Sequence, residues 1–239
     1  MGTKIKALIL FCPLVSLLFA LGCAGKWNRD EVRHRIADAY GAQKFDQIEQ
    51  LQYTFNAQIG AKQIRRSWVW HPHTNQVVFQ GTAAEGGTIT YRRSELTTQP
   101  SAQMEKVDAW FINDQYWLLF PLHLAWDTNT QVEASCDPHP LPIGQGQARR
   151  IAVSYPQTGG YTPGDVYELF VGEDDRLVQW IYRRGGAPEP TRMSTWEDHR
   201  QVGPLTLSMD HRGPDENFRV WFTDVAVKLA GQEDWIRAQ

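Results

Sequence analysis

Residues 26–48 place Val32, Ile36, Ala39 and Tyr40 three to four positions apart, the spacing of one helix face. Asn28 stands where it can cap the amino end, Asp30 and Glu31 occupy the first turn, and Gly41 interrupts or ends the helix. From Leu51 the period changes to two. Short alternating runs cover 52–58, 63–70, 76–80, 88–92, 150–155, 165–171, 177–183, 191–200, 205–210 and 218–227, with Gly, Pro, Asn or Asp between them. Strands at such spacing build an antiparallel sheet, not a series of strand–helix–strand units. One hairpin is plain: Tyr167, Leu169 and Val171 alternate along one strand, residues 172–175 turn the chain, and Val178, Trp180 and Tyr182 return. Between the strands, Trp110, Asp114 and Trp117 stand at helical intervals within 107–127, predicting a helix that ends near Phe120-Pro121. Residues 136–146 contain three prolines and two glycines and read as a loop.

The first 22 residues follow another logic. Lys4 and Lys6 precede an apolar stretch from Ala7 to Gly22, and small residues surround its end. A positive region, an apolar core and a small-residue exit describe an export signal. Its 16 apolar-stretch residues fall short of the roughly 20 that a membrane-spanning helix needs. Ala20-Leu21-Gly22-Cys23 resembles the lipobox of bacterial lipoproteins, although Ala stands where Leu is usual. That resemblance implies a signal peptide over 1–22, a diacylglycerol thioether on Cys23, a short tether over 23–27 and one domain over 28–239. Ala24, not Asp, follows the cysteine, which by the same resemblance implies the outer membrane, facing the periplasm. Acyl chains, at about 0.8 kcal/mol per buried methylene, anchor such a protein without a transmembrane helix.

Without residues 1–22, 217 residues remain, with 22 basic against 27 acidic side chains. That size suits a single β-rich domain, and an acidic balance without a basic cluster speaks against nucleic acid as a partner. The pairs Arg65-Arg66, Arg92-Arg93, Arg149-Arg150 and Arg183-Arg184 are dispersed and read as strand-end decoration. Of three cysteines, Cys12 leaves with the signal and Cys23 is taken up by lipid. Cys136 is then alone, so no intramolecular disulfide is expected.

Catalytic motifs are missing: there is no Gly-x-Ser-x-Gly, phosphate-binding loop, dinucleotide fingerprint or His-Glu-x-x-His. His71 and His73 flank Pro72 without an evident third metal ligand and read as a solvated turn. Cys136 and His139, in Cys-Asp-Pro-His, form at most a weak nucleophile–base candidate. No catalytic residue, metal or cofactor is expected. The stronger signal is aromatic, with ten Trp, ten Phe and eight Tyr. Trp68, Trp70 and Phe79 project from adjacent strands, and Trp110, Trp117 and Phe120 from the second helix; together they either line a pocket for an apolar ligand or simply fill the core.

The carboxy-terminal half carries a family resemblance. Residues 165–171 (Asp-Val-Tyr-Glu-Leu-Phe-Val) and an acidic turn are followed by Leu177-Val-Gln-Trp-Ile-Tyr, Thr195-Trp-Glu-Asp, Gly203-Pro-Leu-Thr-Leu and Phe222-Thr-Asp-Val-Ala-Val. In this order they resemble the LolA/LolB-type lipoprotein-carrier superfamily. The resemblance implies an α+β fold: a curved antiparallel sheet, an incomplete β-barrel, wrapped around the amino-terminal helix and a second helix near 107–120. It also implies a non-enzymatic, membrane-anchored lipoprotein that binds a lipid, acyl chain or lipid-modified protein in a hydrophobic half-barrel. The competing expectation is a structural or interaction lipoprotein of the cell envelope with a filled core and no ligand.

Overall fold

The computed structural model describes residues 29–96, 100–159 and 162–239. The signal, Cys23 and the tether lie outside the described residues. The first helix, α1, spans Arg29–Ala39 and buries Val32, Ile36 and Ala37 completely or nearly so. It stops where Gly41 takes φ 89°, and a Cβ at that position would lie 2.4 Å from the Pro204 carbonyl oxygen. Both the left-handed backbone and the close approach demand glycine. A short 3-10 helix over Ala42–Gln47 then leads into the sheet, so the α-helix ends before Gly41 and not at residue 48.

Thirteen strands follow among the described residues: β1 Ile48–Ile59, β2 Lys62–His71, β3 Gln76–Gln80, β4 Thr88–Arg92, β5 Gln131–Pro140, β6 Gln147–Ser154, β7 Val166–Val171, β8 Leu177–Arg183, β9 Arg192–Thr195, β10 Glu197–Val202, β11 Leu205–Arg212, β12 Phe218–Leu229 and β13 Trp235–Arg237. They form two open antiparallel sheets. The larger runs β10-β11-β12-β1-β2-β3-β4, with β13 against β12, and the smaller runs β5-β6-β7-β8-β9. The architecture is α+β, with curved antiparallel sheets that do not close into a barrel.

The run predicted over 191–200 is broken into β9 and β10 at Trp196. Trp196 N still donates to the Val178 carbonyl of the smaller sheet at 2.9 Å, while Arg212 N of the larger sheet donates to Thr195 Oγ1 at 2.9 Å. One residue therefore carries the chain from one sheet to the other, and the two walls share a seam there.

Two sequence expectations fail around residue 136. The supposed loop begins as strand β5, whose Pro138, His139 and Pro140 pair with Arg149, Ala148 and Gln147. Proline lacks the N–H a central strand needs, but β5 is an edge strand, and a register irregularity falls between Ala134 and Pro138. Cys136, moreover, is disulfide-bonded. The expectation of no intramolecular disulfide is therefore overturned.

The second helix, α2, spans Ala102–Trp126 and lies between the sheets. Ser101 caps it, its Oγ accepting from Met104 N at 3.3 Å. The predicted stop at Phe120-Pro121 is wrong: the helix runs through Pro121 for five more residues. An interior proline costs about 3 kcal/mol, but Leu122 and Leu124, at 0% and 3% exposure, return roughly 1.5–3 kcal/mol each on burial. Packing wins. Toward the larger sheet, Phe111 meets Trp68 and Trp70 at centroid distances of 5.5 and 5.9 Å. Toward the smaller, Phe120 meets Tyr167 at 4.6 Å and Trp180 at 5.1 Å.

Candidate functional site

The core that α2 fills does not extend to the whole concave face. At one end a cleft of about 490 Å³ opens between α2 and the two sheets. Its floor is the larger sheet, where Phe55 and Ala57 of β1, Ile64 of β2 and Phe218 and Val220 of β12 face inward. The β1–β12 register sets these residues side by side, with Ala57 opposite Val220 and Ile59 opposite Phe218. Helix α2 contributes Ile112, Tyr116 and Trp117, and the smaller sheet contributes Tyr167, Trp180 and Tyr182. Pairing of Tyr167 with Tyr182 and of Leu169 with Trp180 places this second wall.

Trp117 is the hinge of the apolar lining. Its ring meets Trp180 edge-on at 4.9 Å and tilts against Phe218 at 5.7 Å. Behind it lies His211 of β11, fully buried, 5.5 Å from Trp117 and 4.5 Å from Trp196. His211 Nδ1 lies 3.3 Å from the Thr195 carbonyl oxygen. The Trp117 carbonyl, whose helical donor Pro121 removes, also influences the ring, although Nε2 has no hydrogen-bond partner within range. Burial lowers the His211 pKa to about 3, against the upward pull of the Thr195 carbonyl and Asp210. His211 is thus a neutral core residue at the sheet seam.

Polar groups sit at defined places around the cleft. Arg66 of β2 donates through Nε and Nη2 to Asp114 at 2.6 and 2.5 Å, and Trp68 Nε1 and Asn113 Nδ2 each donate to the same carboxylate at 3.0 Å. Burial raises the Asp114 pKa, and these donors oppose the rise. Asp114, at 0% exposure, was expected only as a helix-spacing marker, and Arg66 as strand-end decoration; together they form a core ion pair instead. Tyr116 and Tyr155 donate their hydroxyls to Asp127 at 3.1 and 2.8 Å. Burial pushes the phenols of Tyr116 and Tyr167 upward, so both remain neutral donors at physiological pH.

The six aromatic candidates separate clearly. Trp117 lines the cleft. Trp68, Phe79 and Phe120 are sealed in the core at 1%, 0% and 0% exposure. Trp110 packs on Phe79 and lies between the Arg66 and Lys106 cations. Trp70 lines a separate, shallower cleft of about 420 Å³ with Phe45 and Trp126. The sequence reading missed Tyr116, Tyr167, Tyr182, Arg184 and Arg192. Two of these had a signal, since Tyr167 and Tyr182 already alternated inward in the predicted hairpin. Val178 does not share their face: a register shift at Phe170/Val171 turns Leu177 inward and leaves Val178 with Phe170 and Ile181 on the outer side.

Other candidates acquire plain positions. His71 ends β2 opposite Gln76, and His73 borders the Trp70 cleft. Cys136 is bonded and is therefore no free thiol nucleophile beside His139. Among the described residues no group of three His, Cys, Asp or Glu side chains is disposed to hold a metal ion.

No family model matches the chain, and no curated protein matches it. Among solved structures, it is similar to a DUF1329 family protein from Desulfovibrio piger, with TM-score 0.46 and 9% identity over 87% of this chain and 96% of that one. It is similar also to an outer membrane lipoprotein-sorting protein domain from Vibrio parahaemolyticus, with TM-score 0.46 and 8% identity over the same shares.

Proposed function

We propose that this protein is a non-enzymatic, lipid-anchored protein of the bacterial envelope that holds an acyl chain, either of a lipid or of a lipid-modified protein, in the cleft between α2 and the two sheets. The observation that carries this reading is the lining itself: Phe55, Ile112, Trp117, Trp180, Phe218 and Val220 converge on one open space of about 490 Å³. That volume falls within the range of small-molecule sites, which are mostly apolar with a few placed polar groups. A ligand there gains about 25 cal/mol for each Å² of apolar surface it buries.

The anchor in this reading is a thioether on Cys23, after removal of residues 1–22, with the domain at the periplasmic face of the outer membrane. A thioether sulfur forms no disulfide, so in any one molecule acylation of Cys23 excludes its pairing with Cys136. Mass spectrometry of the processed amino terminus separates the two: a diacylglyceryl Cys23 supports the anchor, and an unmodified or disulfide-bonded Cys23 overturns it. The binding reading is tested by titrating the protein with a fluorescent acyl probe. Saturable binding weakened by Trp117→Ala is expected, and absence of binding refutes it.

A further inference from the structure

The cleft is apolar on its floor but not at its edges. Among the described residues, three guanidinium groups lie on its lining: Arg66 from β2, and Arg184 and Arg192 from the two sides of the β8–β9 turn. That turn is fixed. Tyr182 pairs with Arg192 in the sheet, Thr191 N donates to the Tyr182 carbonyl at 2.8 Å, and Arg184 N donates to Thr191 Oγ1 at 2.9 Å. Both cations are therefore held at one end of the hairpin.

The three are not equivalent. Arg66 commits Nε and Nη2 to Asp114, which matches its charge from beneath. Arg184 interacts with the Tyr182 hydroxyl and lies in the field of Asp165. Arg192 ion-pairs with no carboxylate among the described residues, and its guanidinium carbon sits 4.3 Å from the centroid of the Phe218 ring. A guanidinium held on an aromatic face keeps its in-plane donors for a ligand. The single lining carboxylate among the described residues, Asp165, is already engaged: it accepts from Tyr182 Oη at 3.0 Å and from Gly185 N at 2.7 Å. The edge is cationic on a chain whose formal net charge is −3.

Size narrows the tail. If a methylene takes roughly the volume share of a water molecule, about 30 Å³, the 490 Å³ of the cleft holds one long acyl chain rather than two or three. We infer that the cleft takes a single-chain anionic amphiphile, its tail against Trp117, Trp180 and Phe218 and its acidic head on Arg192, with Arg184 beside it. This rests on the acyl-binding reading of the same cleft and adds the head group and the chain number.

Photoreactive analogues with one hexadecyl tail carrying a tail diazirine test it on the full chain in detergent micelles. Four heads are compared: carboxylate, phosphate monoester, primary alcohol and trimethylammonium. Labelled residues are mapped by peptide mass spectrometry. The anionic heads are expected to label cleft residues at concentrations about tenfold lower than the alcohol, the worth of one charge-assisted hydrogen bond, with the ammonium weakest. Arg192→Gln with Arg184→Gln should bring acid and alcohol together while leaving tail labelling in place. The carboxylate-to-phosphate ratio distinguishes a fatty acid from a monoacyl phospholipid as the source. Equal labelling by all four heads, or a preference untouched by the double variant, overturns the head-group inference while acyl binding stands. No labelling of the cleft by any head overturns the acyl-binding reading itself.

Discussion

Replacing His211 by Phe should make the stability of this protein less dependent on pH. His211 is 0% exposed, ringed by Trp117, Trp196 and Phe222, and its pKa is depressed from 6.5 to about 3, chiefly by burial. Because the folded pKa is the lower one, the unfolded chain binds the extra proton between these limits. Stability is therefore fully present above the unfolded value and falls as the pH drops below it. Linkage gives a slope approaching about 1.4 kcal/mol per pH unit from one such group, and hence a loss of about 2 kcal/mol between pH 7 and pH 5. His199, also lowered by burial, adds to the loss with the same sign. Asp127, Glu168, Asp175 and Asp210 are held below their ordinary values. Their contributions are lost chiefly at pH values below this window, so they change little across it. Urea denaturation followed by Trp fluorescence at pH 7, 6 and 5 measures the slope. The variant, whatever its absolute stability, should lose about 2 kcal/mol less than wild type over this range. Equal slopes for both proteins, or stability that rises on acidification, would refute the reasoning.

Other outcomes follow from the same geometry. Arg66→Met leaves the Asp114 carboxylate buried without its counter-ion and should cost about 3–5 kcal/mol, of which Arg66→Met with Asp114→Leu recovers most, as read in a double-mutant denaturation cycle. Gly41→Ala combines a left-handed backbone at φ 89° with a 2.4 Å approach to Pro204; a loss above about 1 kcal/mol is expected by thermal unfolding.

Much of the frame was legible because burial alternates cleanly. The strands at 76–80, 88–92 and 177–183 emerged with their observed bounds, since each has one wet and one dry face or turns sharply at both ends. The failures share a cause: local signals outweighed by packing. Pro121 reads as a stop until one sees Leu122 and Leu124 buried beyond it. Pro138 and Pro140 read as loop unless the strand is known to be an edge. Trp196 gives no local sign that the chain changes sheets there. The cleft was harder still, because it is made by α2 and by strands of both sheets that are remote in sequence. Trp117, which lines the cleft, and Trp68, Phe79 and Phe120, which are core, look identical in sequence. Arg184 and Arg192 acquire meaning only when the β8–β9 turn brings them to the cleft wall.

Acyl-chain occupancy of the cleft is tested most directly by counting what the protein carries out of the cell. The protein and an Ala57→Trp variant, which fills the floor where Ala57 and Val220 lie opposite each other, are purified in parallel and shown by circular dichroism to be folded. Non-covalently bound lipid is then extracted and quantified by mass spectrometry against protein. The expected result is one acyl chain per wild-type molecule and next to none in the variant; equal lipid in both, or none in the wild type even after incubation with excess hexadecanoate, contradicts a ligand-holding cleft.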